Sequence, residues 1–270
     1  MASNLPGYVA SAMPVPKQNR VAWFRSSAQT YAGIMLWFVF WQDIATGGRA
    51  LPGGTLAHGL PVALVALVLA ALLCHFLYYL VPGMLGLKTG LPLYIVGTST
   101  YGVTGGLLMP GFLMGVLQFG WLGVNAFAAA SLLCAPFYEN PTAIVGTVPH
   151  AVVATLWAVI AAFMGLRGIQ YVAKVATFLP IIPLVILLVL AFVTVGGVTT
   201  FDAQAAAGAA AAAVANEAAP VAPLGAAGAV ALLLTYVIGF FATAGAAGVD
   251  FGMNNRDARD VQLGGLVGIA

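Results

Sequence analysis

Six long, mostly apolar runs divide the chain, near residues 27–47, 60–81, 104–134, 148–166, 168–196 and 223–249. A hydrocarbon core about 30 Å thick needs about 20 apolar helical residues to cross it, so each run can span. A seventh run begins near 261 and reaches the last residue, Ala270. Of the 270 residues 62% are hydrophobic and only 6% charged, against about 45–50% and about 25% in soluble domains. A water-facing surface cannot be made from so few charges, and disorder needs low hydrophobicity, so both are excluded. The expected class is an all-α integral membrane protein. The runs at 104–134 and 168–196 exceed the bilayer requirement and must tilt or project.

Loop charges give the orientation. Lys17, Arg20, Arg25, Lys88, Arg167, Lys174, Arg256 and Arg259 fall on one side of this arrangement, and Arg49 alone on the other. Basic loops stay inside, so residues 1–26 are expected as a short cytoplasmic tail and 27–270 as the transmembrane domain in the cell (inner) membrane. Pro6, Pro14 and Pro16 leave the tail without the apolar core of a cleavable signal peptide. The Ala-rich segment 203–219 reads as a surface helix or an outer loop. Glu217 and its low side-chain hydrophobicity argue against a span there. Cys74 and Cys134 lie in apolar runs and read as buried thiols, with no metal-ligand spacing. A net charge of +2 is too small to suggest nucleic acid as a partner.

Polar groups at membrane depth are costly and face a cavity or a partner helix. At the end of the first run Gln42 and Asp43 precede Thr46-Gly47-Gly48. Either the helix unwinds there and its carbonyls line a cavity, or both residues already sit at headgroup level. In the third run Gly111, Gly115, Gln118, Leu122 and Asn125 share a stripe, with Trp121 one turn before Asn125. An indole beside an amide suits a flat heteroaromatic ligand by stacking and directional hydrogen bonds. The same stripe also fits a Gly111-xxx-Gly115 packing face with Asn125 bonding a neighbouring helix. In the sixth run Gly239, Gly245 and Gly248 surround Phe240, Phe241 and Thr243. That density predicts either close packing through Ala244-xxx-Gly248 or a discontinuous helix whose backbone and Thr243 hydroxyl meet a substrate. The following Asp250, Arg256, Asp257, Arg259 and Asp260 read as a solvated loop with local ion pairs, or as a gate. His58 and His150 lie at outer span ends. His75, inside the second run, reads as a packed or interhelical hydrogen-bonding group ahead of a proton relay.

Three segments carry a family likeness: K-T-G-L followed by Y-G-V-x-G (Lys88 to Gly105), Q-x-G-W-x-G-V (Gln118 to Val124), and G-F-F-A-T-A-G with an acid beyond (Gly239 to Asp250). Together, and with Gly168 and Pro180, they resemble the nucleobase:cation symporter-1 family, within it the cytosine permease branch, from about residue 14 onward. The resemblance implies a LeuT-type inverted-repeat transporter fold with broken first and sixth spans around a midplane site. It implies that Trp121 stacks on one face of the substrate and Phe241 on the other. Thr243 and Asn125 would hydrogen-bond it, with unwound backbone near Gln42. Asp43 and Phe40 would serve cation coupling or gating. The implied function is import of a nucleobase or related hydantoin-like heterocycle by symport with Na⁺ or H⁺, with no enzymatic activity and no cofactor beyond that ion. The family has about twelve spans and places part of its cation and substrate sites on the eighth. This chain would hold the first repeat and the opening of the second, and is expected not to transport alone. The alternatives are a LeuT-type transporter of another small solute, or a non-transporting half-protein. A respiratory-type membrane subunit would need paired intramembrane His ligands, and His75 has no matching His on another span.

Overall fold

The computed structural model describes residues 5–26, 54–138, 141–179, 181–202, 205, 224–241 and 244–268. These form α1 (Gly7–Ala10), α2 (Trp23–Ser26), α3 (Leu60–Thr89), α4 (Leu93–Val96), α5 (Thr98–Phe137), α6 (Val148–Leu166), α7 (Ile169–Phe178), α8 (Ile181–Thr194), α9 (Ala226–Phe241), α10 (Ala244–Gly252) and α11 (Ala258–Gly268). Among the described residues, α3, α5 and α6 are each long and apolar enough to cross a membrane. The expected first span and most of the Ala-rich segment lie outside the described residues.

Contacts divide the chain into two compact units: residues 1–13 with 91–176, and residues 14–90 with 177–270. In the first unit α5 and α6 form a hairpin. Ala126, Ala130 and Cys134 recur every four residues on α5, and this small-residue face is buried. Ser131 bonds the buried His150 of α6 at 3.0 Å, and Phe127 meets the same imidazole edge-on at 5.2 Å. The Y-G-V segment kinks the start of α5 at Gly102, whose φ of 70° suits glycine. Tyr8 of α1 donates its hydroxyl proton to the Val103 carbonyl beside that kink.

The second unit is built on a parallel pair. Pro61 and Val65 of α3 meet Ala226 and Val230 at the start of α9. Ala66 and Leu233 are buried together one turn further on. The pairing continues to the other end, where α3 meets α10. A Cβ on Gly86 would overlap the Val249 carbonyl, and one on Gly252 would overlap the Gly83 backbone. The chains touch backbone to backbone, as small-xxx-small faces allow in lipid. Gly248 of the expected Ala244-xxx-Gly248 face packs against the Pro82 ring, and the face continues one turn further to Gly252.

The helix of the second run continues to Thr89, well past the expected end at 81. At 30 residues it is about 45 Å long at 1.5 Å per residue. The extension holds because Pro82, Gly83 and Gly86 are the positions where α10 packs. Gly90 then ends the helix with φ 65°, its N–H bonding the Gly86 carbonyl. This is the glycine of the K-T-G motif. The tail passes so close that a Cβ there would stand 2.8 Å from the Arg20 guanidinium.

Candidate functional site

The regular part of α5 carries the two describable residues of the expected heterocycle site. Just before it, Leu107–Leu113 winds as a π-helical stretch around Pro110. Such stretches absorb a residue whose missing N–H would break an α-helix. Gly97, whose Cβ would lie 2.9 Å from the Pro110 ring, lets the α4–α5 connection pack against it. Trp121 and Asn125 then follow one turn apart, both half-buried. Asn125 Nδ2 donates to the Trp121 carbonyl at 2.8 Å. The expected bond from Asn125 to a neighbouring helix is thus made to its own helix instead. That bond fixes the amide plane and leaves Oδ1 and one N–H to meet a ligand. Gln118 on the same stripe is exposed. No described atom lies within 4 Å of a Cβ built on Gly115. The stripe is therefore not a tight packing face at Gly115 among the described residues. The tight face of α5 is the one at Ala126, Ala130 and Cys134.

Phe241 closes α9 in the other unit. Thr243, Gln42, Asp43 and Phe40 lie outside the described residues. Residues 98–137 contain no Asp, Glu, Lys or Arg. Trp121 and Asn125 thus stand on a helix that offers an aromatic face and neutral hydrogen-bonding groups, without charge. The groove between α3 and α9 lined by Pro61, Val62, Val65, Ala226, Ala227 and Val230 is wholly apolar. It has no donor or acceptor with which to read a heterocycle.

The sequence matches, over residues 14–270, the family described as permeases for cytosine/purines, uracil, thiamine and allantoin. The chain belongs to this family. No curated protein and no solved structure matches it. Membership makes the chain a membrane permease of nucleobases and related compounds, and the match covers all three motif segments quoted above.

A second cluster was not anticipated. The acid-and-arginine run after the sixth apolar run is a docking point for the N-terminal tail: Arg256, Asp257 and Arg259 are exposed, but Asn255 and Asp260 are buried. Asn255 is 0% and Asp260 3% exposed. The expected local ion pair is present between Arg256 and Asp260, and the solvated reading is corrected only at Asp260, which is buried because backbone donors of the tail need acceptors. Val21 N–H donates to the Asn254 carbonyl at 2.8 Å, and Trp23 N–H to Asp260 Oδ1 at 3.2 Å. Ser26 donates to Asn255 Oδ1. Arg20 bonds the Leu87 carbonyl at 2.9 Å, and Val15 N–H the Gly90 carbonyl at 2.8 Å. Arg256 grips Asp260 through Nε at 2.6 Å and Nη2 at 3.1 Å. Asp257 caps α11 by accepting from the Asp260 amide at 2.8 Å. The Arg256 hydrogen bonds hold the Asp260 carboxyl below its ordinary range, helped by the Trp23 N–H and opposed by burial. The same contact raises the Arg256 guanidinium. The sequence signal available was Asp257-x-x-Asp260, a helix-capping spacing.

Proposed function

We propose that this permease carries a neutral, flat heterocycle of the nucleobase class into the cell with a co-transported Na⁺ or H⁺. Cytosine or a related purine, pyrimidine or hydantoin fits the pair on α5. Alternating access exposes the site to each side in turn. The observation that carries the reading is Trp121 one turn from Asn125, its amide fixed at 2.8 Å, on a helix without charged residues. An amide offers both donor and acceptor, as a heterocycle edge does. A zwitterionic solute such as an amino acid asks for a counter-charge or an exposed helix end, so the neutral helix favours the heterocycle. In this reading Phe241 covers the second face of the ring and Thr243 and Gln42 complete its hydrogen bonds. Phe40 and Asp43 act in gating or ion coupling. The tail, Lys88, Arg256 and Arg259 gather at one end of the α3–α10 pair, and the basic-inside rule makes that end cytoplasmic.

The test is equilibrium binding of labelled cytosine, uracil and allantoin to the purified chain in nanodiscs. Stacking on an aromatic side chain contributes about 1–3 kcal/mol. Trp121→Ala should therefore weaken the bound ligand about 5- to 150-fold, and Trp121→Phe much less. An unchanged Kd in Trp121→Ala would refute the stacking role. Binding of an amino acid but of none of the three heterocycles would refute the substrate class.

A further inference from the structure

His75 lies well inside α3, yet is only 2% exposed. It belongs to a π-helical stretch, Cys74–Leu80, in the middle of an otherwise α-helical span. Such stretches hold a wider turn at some energetic cost and concentrate at functional positions. Its ring rests on α11: a Cβ on Gly265 would overlap Nδ1 and Cε1 of the imidazole. Phe76 closes one side edge-on at 4.8 Å, and Tyr79 lies nearly parallel at 6.5 Å. Nδ1 is buried and finds no hydrogen-bond partner among the described residues. An orphaned buried nitrogen costs about 1–3 kcal/mol and asks for an explanation.

From this geometry we infer that His75 is a proton-binding site closed by α11, so that proton uptake at Nδ1 and release of α11 from α3 are one coupled event. A neutral ring with its hydrogen on Nε2 presents a lone pair at Nδ1. The proton comes from water, the N–H bond forms at Nδ1, and the ring becomes a cation. With α11 seated, Gly265 leaves no room for the water or acceptor that the new N–H needs. Protonation therefore favours the undocked helix, and docking favours the neutral ring. The titratable groups on the neighbouring elements are Tyr236 on α9, Asp250 on α10, and Arg259 and Asp260 at the start of α11. On its own helix stand Cys74, Tyr78, Tyr79 and Lys88. Of these, Tyr79 is the one with a described ring contact to His75. Asp260 precedes Gly265 by five residues, about 7.5 Å along α11. The inference rests on α3 spanning the bilayer, and not on the heterocycle reading.

The test needs no transport. The chain has three histidines, so ¹⁵N-imidazole NMR of the protein in nanodiscs has three rings to follow, and His75 is assigned with His58→Gln and His150→Gln. In parallel with the NMR, amide exchange across α11, corrected for intrinsic pH dependence, is followed from pH 8 to pH 5. This window stays above the lowered Asp260 carboxyl. The expected result is a His75 titration within the window, with α11 protection falling at least about tenfold across it, and constant protection in His75→Gln. A His75 ring that stays neutral to pH 5 in the wild type overturns the inference without any His75 variant. So does an equal loss of protection in His75→Gln.

Discussion

Asp260→Ala tests what holds the N-terminal tail to the end of the parallel helix pair. The carboxylate is 3% exposed and accepts from Trp23 N–H at 3.2 Å and from Arg256 at 2.6 and 3.1 Å. Removing it strands the Trp23 N–H, at about 1–3 kcal/mol. The Arg256 arm adds little, because that side chain is 57% exposed and screened. A total near 2 kcal/mol raises the open population of the tail about 30-fold. Trypsin reads this at the Arg20–Val21 bond, because Arg20 is tied to Leu87 and the Val21 amide to Asn254. When opening is fast relative to cleavage, the rate follows the open population. Asp260→Asn keeps an oxygen for Trp23, and should accelerate cleavage only about 3- to 10-fold as the charge is lost. Equal cleavage rates in wild type and Asp260→Ala would show that this carboxylate does not hold the tail.

Acid should open the same tail. The Asp260 carboxyl is lowered in the folded chain from its usual 3.8, so its contribution is present above about pH 4 and is lost as pH falls through the lowered value; exchange of the Val21 amide measures it. Gly252→Val places atoms inside the Gly83 backbone and should abolish a monodisperse peak in detergent chromatography. Gly123→Ala, with no described atom within 4 Å, should leave the melting temperature within about 2 °C of wild type, as an unhindered surface substitution does. Cysteine replacement of His58 and Lys88, exposed at opposite ends of α3, should give labelling by impermeant maleimide from opposite sides of the membrane. Native Cys74 and Cys134 are buried and should stay silent. Labelling of both positions from one side would refute the span.

The apolar runs were legible because the bilayer imposes a length, and α6 occupies Val148–Leu166 as expected. Helix ends were less so. The helix α3 runs past 81 through Pro82, Gly83 and Gly86, whose value appears only against a partner some 160 residues away in sequence. The tail was invisible for another reason. Its bonds use the backbone N–H groups of Val15, Val21 and Trp23, and backbone donors leave no trace in side-chain pattern. At the site, the Trp121–Asn125 spacing was readable from helical periodicity. The 2.8 Å bond between them was not, because an amide on a helix has several partners within reach. Thr243, Gln42, Asp43 and Phe40 remain readings of the sequence.

The backbone contact of Gly83 and Gly86 with α10 also sets a timetable. A ribosome adds about 5–20 residues per second. The glycine face of α3 therefore enters the bilayer some ten to thirty seconds before its partner is synthesised. For that interval a naked helix face lies open to any small-residue helix nearby. Faithful biogenesis then depends on the insertion machinery sheltering it, and slowing translation through the intervening stretch should lower the yield of folded permease.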